Sequence, residues 1–214
     1  GRFHEGAPII AHLIQPDYVT LGDAAVIDAL VRALERRGAN VVSLFGDDEG
    51  QKRLLEAIRP DLLVPQRHSG PEGGLPTPGR KTFLEQLDVP YLGPVDMLQA
   101  TIDEWGRDPQ GMREVFTQVA VREVHGVIVP GIIGGKQDTG KGYALHQPIP
   151  ERLEHFADRA MRWVALRKKP NAEKRVAIVY YQRFPGRADL GRSASISGTH
   201  LESHALPRVP EAFT

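Results

Sequence analysis

Residues 168–181 have the sequence KKPNAEKRVAIVYY, and this stretch decides how the chain is divided. It starts with a basic helix end, passes through the helix-breaking pair Pro170-Asn171, and enters an apolar run from Val176 to Tyr181. A run rich in Val, Ile and Tyr is typical of a buried parallel strand. A helix, a charged turn and a new buried strand mark the passage from one α/β module to the next. Because only a short tail follows, we expect a fragment of a longer protein whose second module begins here.

The composition is that of an ordinary globular protein. The 214 residues include 27 basic and 27 acidic side chains, 41% hydrophobic residues and no cysteine. Zero net charge argues against nucleic acid or an anionic membrane as the main partner, because both favour a basic excess. The absence of cysteine excludes disulfides, thiolate nucleophiles and cysteine-based zinc sites. No apolar run approaches the length of a membrane span, and we expect a cytoplasmic protein.

The first part of the chain alternates strand and helix signals. Asp23 is predicted to be the N-cap or a first-turn acid of the first helix, and Gly38 to stop that helix. The predicted elements are strand Pro8–Ile14, a helix opening at Leu21-Gly22-Asp23, strand Asn40–Phe45, helix Gln51–Ile58 and strand Asp61–Val64. This order predicts an α/β fold with a doubly wound, mostly parallel sheet of the Rossmann or flavodoxin-like kind. We assign residues 1–169 to this domain, and 170–214 to a linker, the first strand of the next α/β module and a poorly ordered tail.

The second part continues the alternation less regularly. We predict that the helix over 110–124 buries an apolar face made of Met112, Val115, Phe116, Val119 and Ala120. The segment GVIVPGII contains a Pro-Gly pair, which predicts a kinked or edge strand. The other predicted elements are helix Thr82–Leu87, strand Val89–Leu92, helix Asp96–Trp105, strand Gly126–Ile133, a turn over Gly134–Gly142 that returns through Tyr143–His146, and helix Pro148–Lys169.

A long loop follows the third predicted strand. Residues 65–79 have the sequence PQRHSGPEGGLPTPG, which is rich in glycine and proline and lacks the Lys-Ser/Thr of a P-loop. Open α/β sheets bind their ligands at the carboxyl ends of the strands, where this loop begins. A ligand-binding loop that carries His68 and a plain surface connection are both compatible with this pattern.

Four stretches in the same order resemble the CobN and magnesium chelatase H-subunit superfamily. They are GDAAVIDALVRALERRGANV (22–41), LDVPYLGPVDMLQATIDEW with DPQGM (87–105 and 108–112), PIPERLEHFADRAMRWVALRKKPN (148–171) and KPNAEKRVAIVYY (169–181). One departure lies at residues 122–126, where the family pattern PELDG is replaced by REVHG. From Gly186 onward the chain matches the family pattern poorly.

The resemblance implies a function for the whole subunit. It implies the large subunit of an ATP-dependent cobaltochelatase, a multisubunit ligase that inserts Co²⁺ into a corrinoid precursor, hydrogenobyrinic acid a,c-diamide, in cobalamin biosynthesis. ATP is then hydrolysed by AAA+ partner subunits and is not bound here, which agrees with the absence of a Walker motif. We expect the fragment alone to be inactive. The alternatives are a magnesium chelatase H subunit that binds protoporphyrin and takes Mg²⁺ as substrate, and a non-catalytic α/β ligand-binding scaffold.

Metal insertion requires removal of two pyrrole N–H protons, and carboxylates and neutral imidazoles are suitable proton acceptors. We therefore predict three substrate-binding residues: His68, Glu123 and His146. A solvated helix-end charge is the simpler interpretation of Glu123, and His146 is equally compatible with a structural histidine. The sequence predicts neither the catalytic residues nor the metal-contacting ones, because we expect the catalytic region to lie beyond this chain.

Overall fold

The computed structural model describes residues 3–66 and 82–176. The chain divides into two units, Gly1–Lys169 and Pro170–Thr214. In the second unit, the described residues include one 3₁₀ turn, Asn171–Glu173. The predicted strand over 176–181 lies outside the described residues except for Val176, and the tail lies wholly outside them. The domain assignment made from the sequence therefore stays a prediction.

The strands of the first unit form two three-stranded sheets with orders β2-β1-β3 and β4-β5-β6. All pairs are parallel except the β5-β6 pair, and a parallel bridge between Leu63 and Tyr91 links the two sheets. This gives the strand order of flavodoxin-like folds with one added antiparallel strand. The predicted doubly wound, mostly parallel α/β fold is confirmed. The strands are β1 (Ile9–Ile14), β2 (Asn40–Leu44), β3 (Leu62–Gln66), β4 (Leu92–Thr101), β5 (Ile128–Asp138) and β6 (Ala144–Pro148).

Helices cover both faces of the strands. The helices are α1 (Pro16–Thr20), α2 (Ala25–Glu35), α3 (Asp48–Ile58), α4 (Phe83–Leu87), α5 (Ile102–Arg107), a π-helical turn (Phe116–Ala120) that continues into α6 (Val121–Val124), and α7 (Pro150–Lys168). The apolar faces of α2 and α7 pack on one side, where Leu30, Phe156 and Ile133 belong to one buried cluster. The α3 and α4 helices pack on the other side. None of the helices within 3–66 and 82–176 is long and apolar enough to span a membrane.

The predicted helix Asp96–Trp105 is wrong over its first half. Residues up to Thr101 belong to β4, and only Ile102–Arg107 is helical. Thr101 explains the late start, because its side chain accepts a hydrogen bond from the Glu104 backbone while the Glu104 carboxylate reaches back to the Thr101 backbone. This capping box begins the helix where the strand ends. Asp96 is consequently a buried strand residue.

The segment over 110–124 is helical only over 116–124. The predicted burial pattern is inverted at its fully buried positions, which are polar rather than apolar. Its buried positions are the polar Glu114, Gln118 and Arg122, spaced four residues apart. Phe116 is 74% exposed and Val124 is 56% exposed. Backbone groups of β3 and β4 account for the inversion, because they need hydrogen-bond partners that apolar side chains cannot provide. The Glu114 carboxylate accepts the backbone N–H groups of Leu98 and Gln99.

The structure also decides two smaller predictions, which concern Asp23 and β5. Asp23 does not cap α2, whose N-cap is Ala24, because both carboxylate oxygens of Asp23 bind His146 instead. The predicted kink in β5 is confirmed by the register shift opposite Leu92–Pro94 and by the left-handed backbone of Val129, with φ of 50°. Of the two alternatives, a kinked strand and an edge strand, the kinked one holds, since β5 lies between β4 and β6.

The inverted helix face predicts effects of very different size for two substitutions. Glu114→Gln should lower the free energy of unfolding by about 1–2 kcal/mol, because a charged acceptor for two backbone N–H groups becomes neutral. Phe116→Ser should change it by less than about 0.5 kcal/mol, because the ring is mostly exposed. Urea unfolding of the two variants tests this. A larger loss in Phe116→Ser than in Glu114→Gln would contradict the inverted orientation.

Candidate functional site: a buried polar cluster

His146 on β6 is tied to Asp23, which lies just before α2. The Asp23 carboxylate accepts the backbone N–H of His146 at 2.8 Å, and its other oxygen lies 2.5 Å from Nδ1 of the ring. This contact assigns the proton of a neutral imidazole to Nδ1 and leaves the lone pair on Nε2. The ring of Tyr18 on α1 packs edge-on against His146, with 5.4 Å between ring centroids. His146 is 5% exposed, so its ring and its contacts with Asp23 are held almost out of water.

A second chain of hydrogen bonds starts in β1. His12 is fully buried, and its Nε2 lies 2.8 Å from the side-chain oxygen of Gln66 at the end of β3. The amide nitrogen of Gln66 in turn donates to Oδ2 of Asp96 on β4. Both β1 and β3 belong to the switch point of this strand order, where such folds bind ligands.

Gly134 makes room for the Asp96 carboxyl group. A Cβ atom at Gly134 would lie 2.9 Å from Oδ1 of Asp96 and 2.8 Å from a methyl carbon of Val26. Real Cβ atoms do not approach neighbours this closely, so a side chain here would displace one of the two. The turn predicted over Gly134–Gly142 belongs to β5 as far as Asp138, and the chain turns back only over residues 139–143. Its first glycine is needed for close packing.

Arg122 on α6 forms hydrogen bonds to one strand of each sheet. Its guanidinium donates to the backbone carbonyls of Pro65 in β3, at 2.5 Å, and Pro94 in β4, at 2.7 Å. The side chain is buried, and Arg122 acts electrostatically on both Asp96 and Tyr18. We call the following residues the polar cluster: His12, Tyr18, Asp23, Gln66, Asp96, Arg122 and His146.

Burial sets the charges in the polar cluster. It lowers the pKa of His12 from 6.5 to about 4, although the hydrogen bond to Gln66 opposes the shift. It raises the pKa of Asp96, against the opposing effects of Gln66, His146 and Arg122. Burial, followed by the charges of Asp96 and Asp23, raises the pKa of Tyr18. His12 and Tyr18 are consequently neutral at pH 7.

The three predicted substrate-binding residues have different positions. His146 lies at the centre of the polar cluster, whereas Glu123 is exposed on α6, next to the inward-pointing Arg122. His68 lies outside the described residues. Among the described residues no group of three His, Cys, Asp or Glu side chains could hold a metal ion.

Sequence reasoning misses most of the polar cluster. It places Asp23 at a helix cap and Asp96 in a helix, which hides both carboxylates. The signal for His12 is present, because PIIAHLI places one imidazole in an otherwise apolar strand. A polar group in a fully buried strand requires a hydrogen-bond partner, and here that partner is Gln66.

Comparison with known proteins gives a consistent result. A family model described as CobN/Magnesium Chelatase matches residues 1–201. The chloroplastic magnesium-chelatase protein ChlH of Oryza sativa subsp. indica is 30% identical over 206 residues, which are 89% of this chain and 15% of that protein. The magnesium-chelatase H subunit of Chlorobaculum parvum is 31% identical over 187 residues, which are 82% of this chain and 14% of that protein.

Cobalt chelatases are similar as well. The aerobic cobaltochelatase subunit CobN of a Sinorhizobium species is 27% identical over 220 residues, which are 90% of this chain and 17% of that protein. The solved structure of the catalytic subunit of cobaltochelatase from Mycobacterium tuberculosis superposes with a TM-score of 0.70 at 27% identity, and covers 90% of this chain and 17% of that one. The chain thus spans less than a fifth of the length of these relatives.

Proposed function

Because the chain belongs to the CobN/magnesium chelatase family, we propose that it is part of the large subunit of a cobaltochelatase. That subunit would insert Co²⁺, as substrate, into hydrogenobyrinic acid a,c-diamide in cobalamin biosynthesis. AAA+ partner subunits in the cytoplasm would hydrolyse the ATP, and the chain alone would be inactive. The likeness to the cobaltochelatase catalytic subunit over 90% of this chain is the observation that supports the proposal.

The polar cluster supplies a chemical role in this reaction. Metal insertion displaces two protons from pyrrole nitrogens, and a neutral imidazole oriented by a carboxylate is a suitable acceptor. His146 has this arrangement, with Asp23 bound at Nδ1. We assign His146 as the proton acceptor for one pyrrole N–H, and keep Glu123 and His68 as further substrate-binding residues.

A magnesium chelatase H subunit that binds protoporphyrin is the second candidate. The 30% and 31% identities to the rice and Chlorobaculum magnesium-chelatase proteins favour it. Its substrate ring differs in saturation and side chains from the corrinoid precursor, so binding separates the two functions. Fluorescence-quenching titrations of the large subunit carrying this sequence with protoporphyrin, and absorbance titrations with the corrinoid precursor, should show tighter binding of the corrinoid. Tighter binding of protoporphyrin would favour the magnesium chelatase, and binding of neither ring would contradict both.

His146→Gln tests the role of the imidazole. In the complete chelatase complex with ATP, we expect metal insertion to slow on the order of 100-fold, the size of a general-base contribution. His155→Gln is the matched control, because His155 is an exposed residue of α7. Equal insertion rates of the His146 variant and the control would contradict the assignment while leaving the family function untouched.

A further inference from the structure

Asp96 and His146 lie on the same side of the second sheet. Asp96 on β4 is paired with Gly134 on β5, and His146 on β6 is paired with Lys136, two residues further along the same strand. Strand residues two apart point to one face, so the two side chains share that face. Since Gly134 carries no side chain, β5 places nothing between them at that position. An imidazolium at His146 would lower the pKa of Asp96, so the two side chains are close enough to interact electrostatically.

Each of the two side chains has one buried atom without a hydrogen-bond partner in the described part of the chain. Oδ2 of Asp96 accepts from Gln66, but Oδ1 has no partner. Nδ1 of His146 is bound to Asp23, but Nε2 has no partner. A carboxylate with a single amide donor is poorly compensated for the loss of water, and such a group takes up a proton.

The charges around the pair come from several elements. Tyr18 on α1 is neutral, and Asp23 before α2 is bound to the imidazole. Arg122 on α6 acts on Asp96 from the side of β3 and β4, and Lys136 lies directly across from His146 on β5. These two cations attract negative charge to the region, and Asp23 already supplies one carboxylate. A second ionised carboxylate at Asp96 would favour an imidazolium at His146.

We propose that Asp96 is a neutral carboxylic acid in the resting protein, and that it keeps the imidazole of His146 unprotonated. Asp96 is then a positioning residue. Because it keeps its own proton, it adds no negative charge that would favour protonation of His146 at Nε2. Asp23 fixes the other end of the ring. The role of this lone pair in accepting a pyrrole proton rests on the proposed function, but the protonation states of Asp96 and His146 do not.

Infrared spectroscopy of the 214-residue chain tests the proton on Asp96. At pH 7 the wild type should show the C=O stretch of a protonated carboxylic acid, and Asp96→Asn should lack it. Asn has the shape of Asp and offers an oxygen to Gln66, so the variant is expected to fold. Glu114→Gln is the matched control, since it removes another buried carboxyl group that binds backbone N–H groups. A wild-type spectrum at pH 7 without a band assignable to Asp96 would overturn the proposal.

Nitrogen NMR of the His146 ring tests the consequence. Its resonances are identified by their loss in His146→Gln. At pH 7 we expect the neutral form with the proton on Nδ1, both in the wild type and in Asp96→Asn, because Asn reproduces a neutral acid. An imidazolium in the wild type that becomes neutral in Asp96→Asn would show an ionised Asp96 and overturn the inference. Neither measurement needs tetrapyrrole or metal, so failure here is distinct from failure of the proposed function.

Discussion

Replacing Arg122 by Ala is expected to lower the free energy of unfolding by about 4 kcal/mol. The guanidinium donates to the carbonyls of Pro65 and Pro94, and hydrogen bonds that involve a charged group each contribute roughly 1.5–3 kcal/mol. Both bonds disappear in Arg122→Ala, and the buried side chain leaves a cavity as well. Urea or thermal unfolding followed by circular dichroism measures the loss.

Two further variants distinguish the loss of these two hydrogen bonds from a general effect of removing an arginine. Arg122→Lys keeps the charge but loses the planar fork that reaches two carbonyls, so its loss should be intermediate, about 2 kcal/mol. Arg113→Ala removes an exposed guanidinium and should change stability by less than about 0.5 kcal/mol. The free energies of unfolding of Arg122→Ala and Arg113→Ala could differ by less than about 1 kcal/mol, on the order of one lost hydrogen bond. The two carbonyl contacts of Arg122 would then not stabilise the fold.

The position of Arg122 shows what a motif departure can mean. In the resemblance given above, Arg122 stands where the pattern PELDG has proline, and the sequence alone presents this as a loss. In the folded chain the arginine side chain points inward and binds the two strands that carry Gln66 and Asp96. The neighbouring Glu123, which matches the pattern, is exposed. The residue that departs from the motif is therefore the one that supports the polar cluster.

Periodicity predicts the strands and helices whose burial is apolar. Helix α7 is predicted almost to its ends, because Leu153, Phe156 and Ala157 recur at helical spacing and are buried. The first three strands are predicted because each is a short apolar run. Periodicity fails where polar residues face inward, since hydrophobic spacing cannot reveal that Glu114 binds two backbone N–H groups of β4. The polar cluster brings together residues as distant in the sequence as Asp23 and His146. Such a contact depends on the order of the strands in the sheet and not on the spacing of residues along one element.

Acidification is expected to destabilise the protein through His12. In the unfolded chain this imidazole titrates at its ordinary pKa of 6.5, whereas in the folded protein burial lowers its pKa to about 4. Above pH 6.5 both states are neutral at His12, and stability does not depend on pH through this group. Between pH 6.5 and 4 the unfolded chain binds a proton that the folded protein does not, so the free energy of unfolding falls, by about 3 kcal/mol in total.

The contribution of His12 is isolated by comparison with His12→Gln. Asp96 has the opposite effect, because its raised pKa lets the folded protein bind a proton first, and this effect is present in both proteins. The difference in unfolding free energy between wild type and variant should therefore shrink as the pH falls from 6.5 to 4. His155→Gln, which changes an exposed histidine, should run parallel to the wild type. Parallel curves for His12→Gln and the wild type would mean that His12 gains its proton equally in both states. The hydrogen-bonded side chains of His12, Gln66 and Asp96 would then be accessible to water.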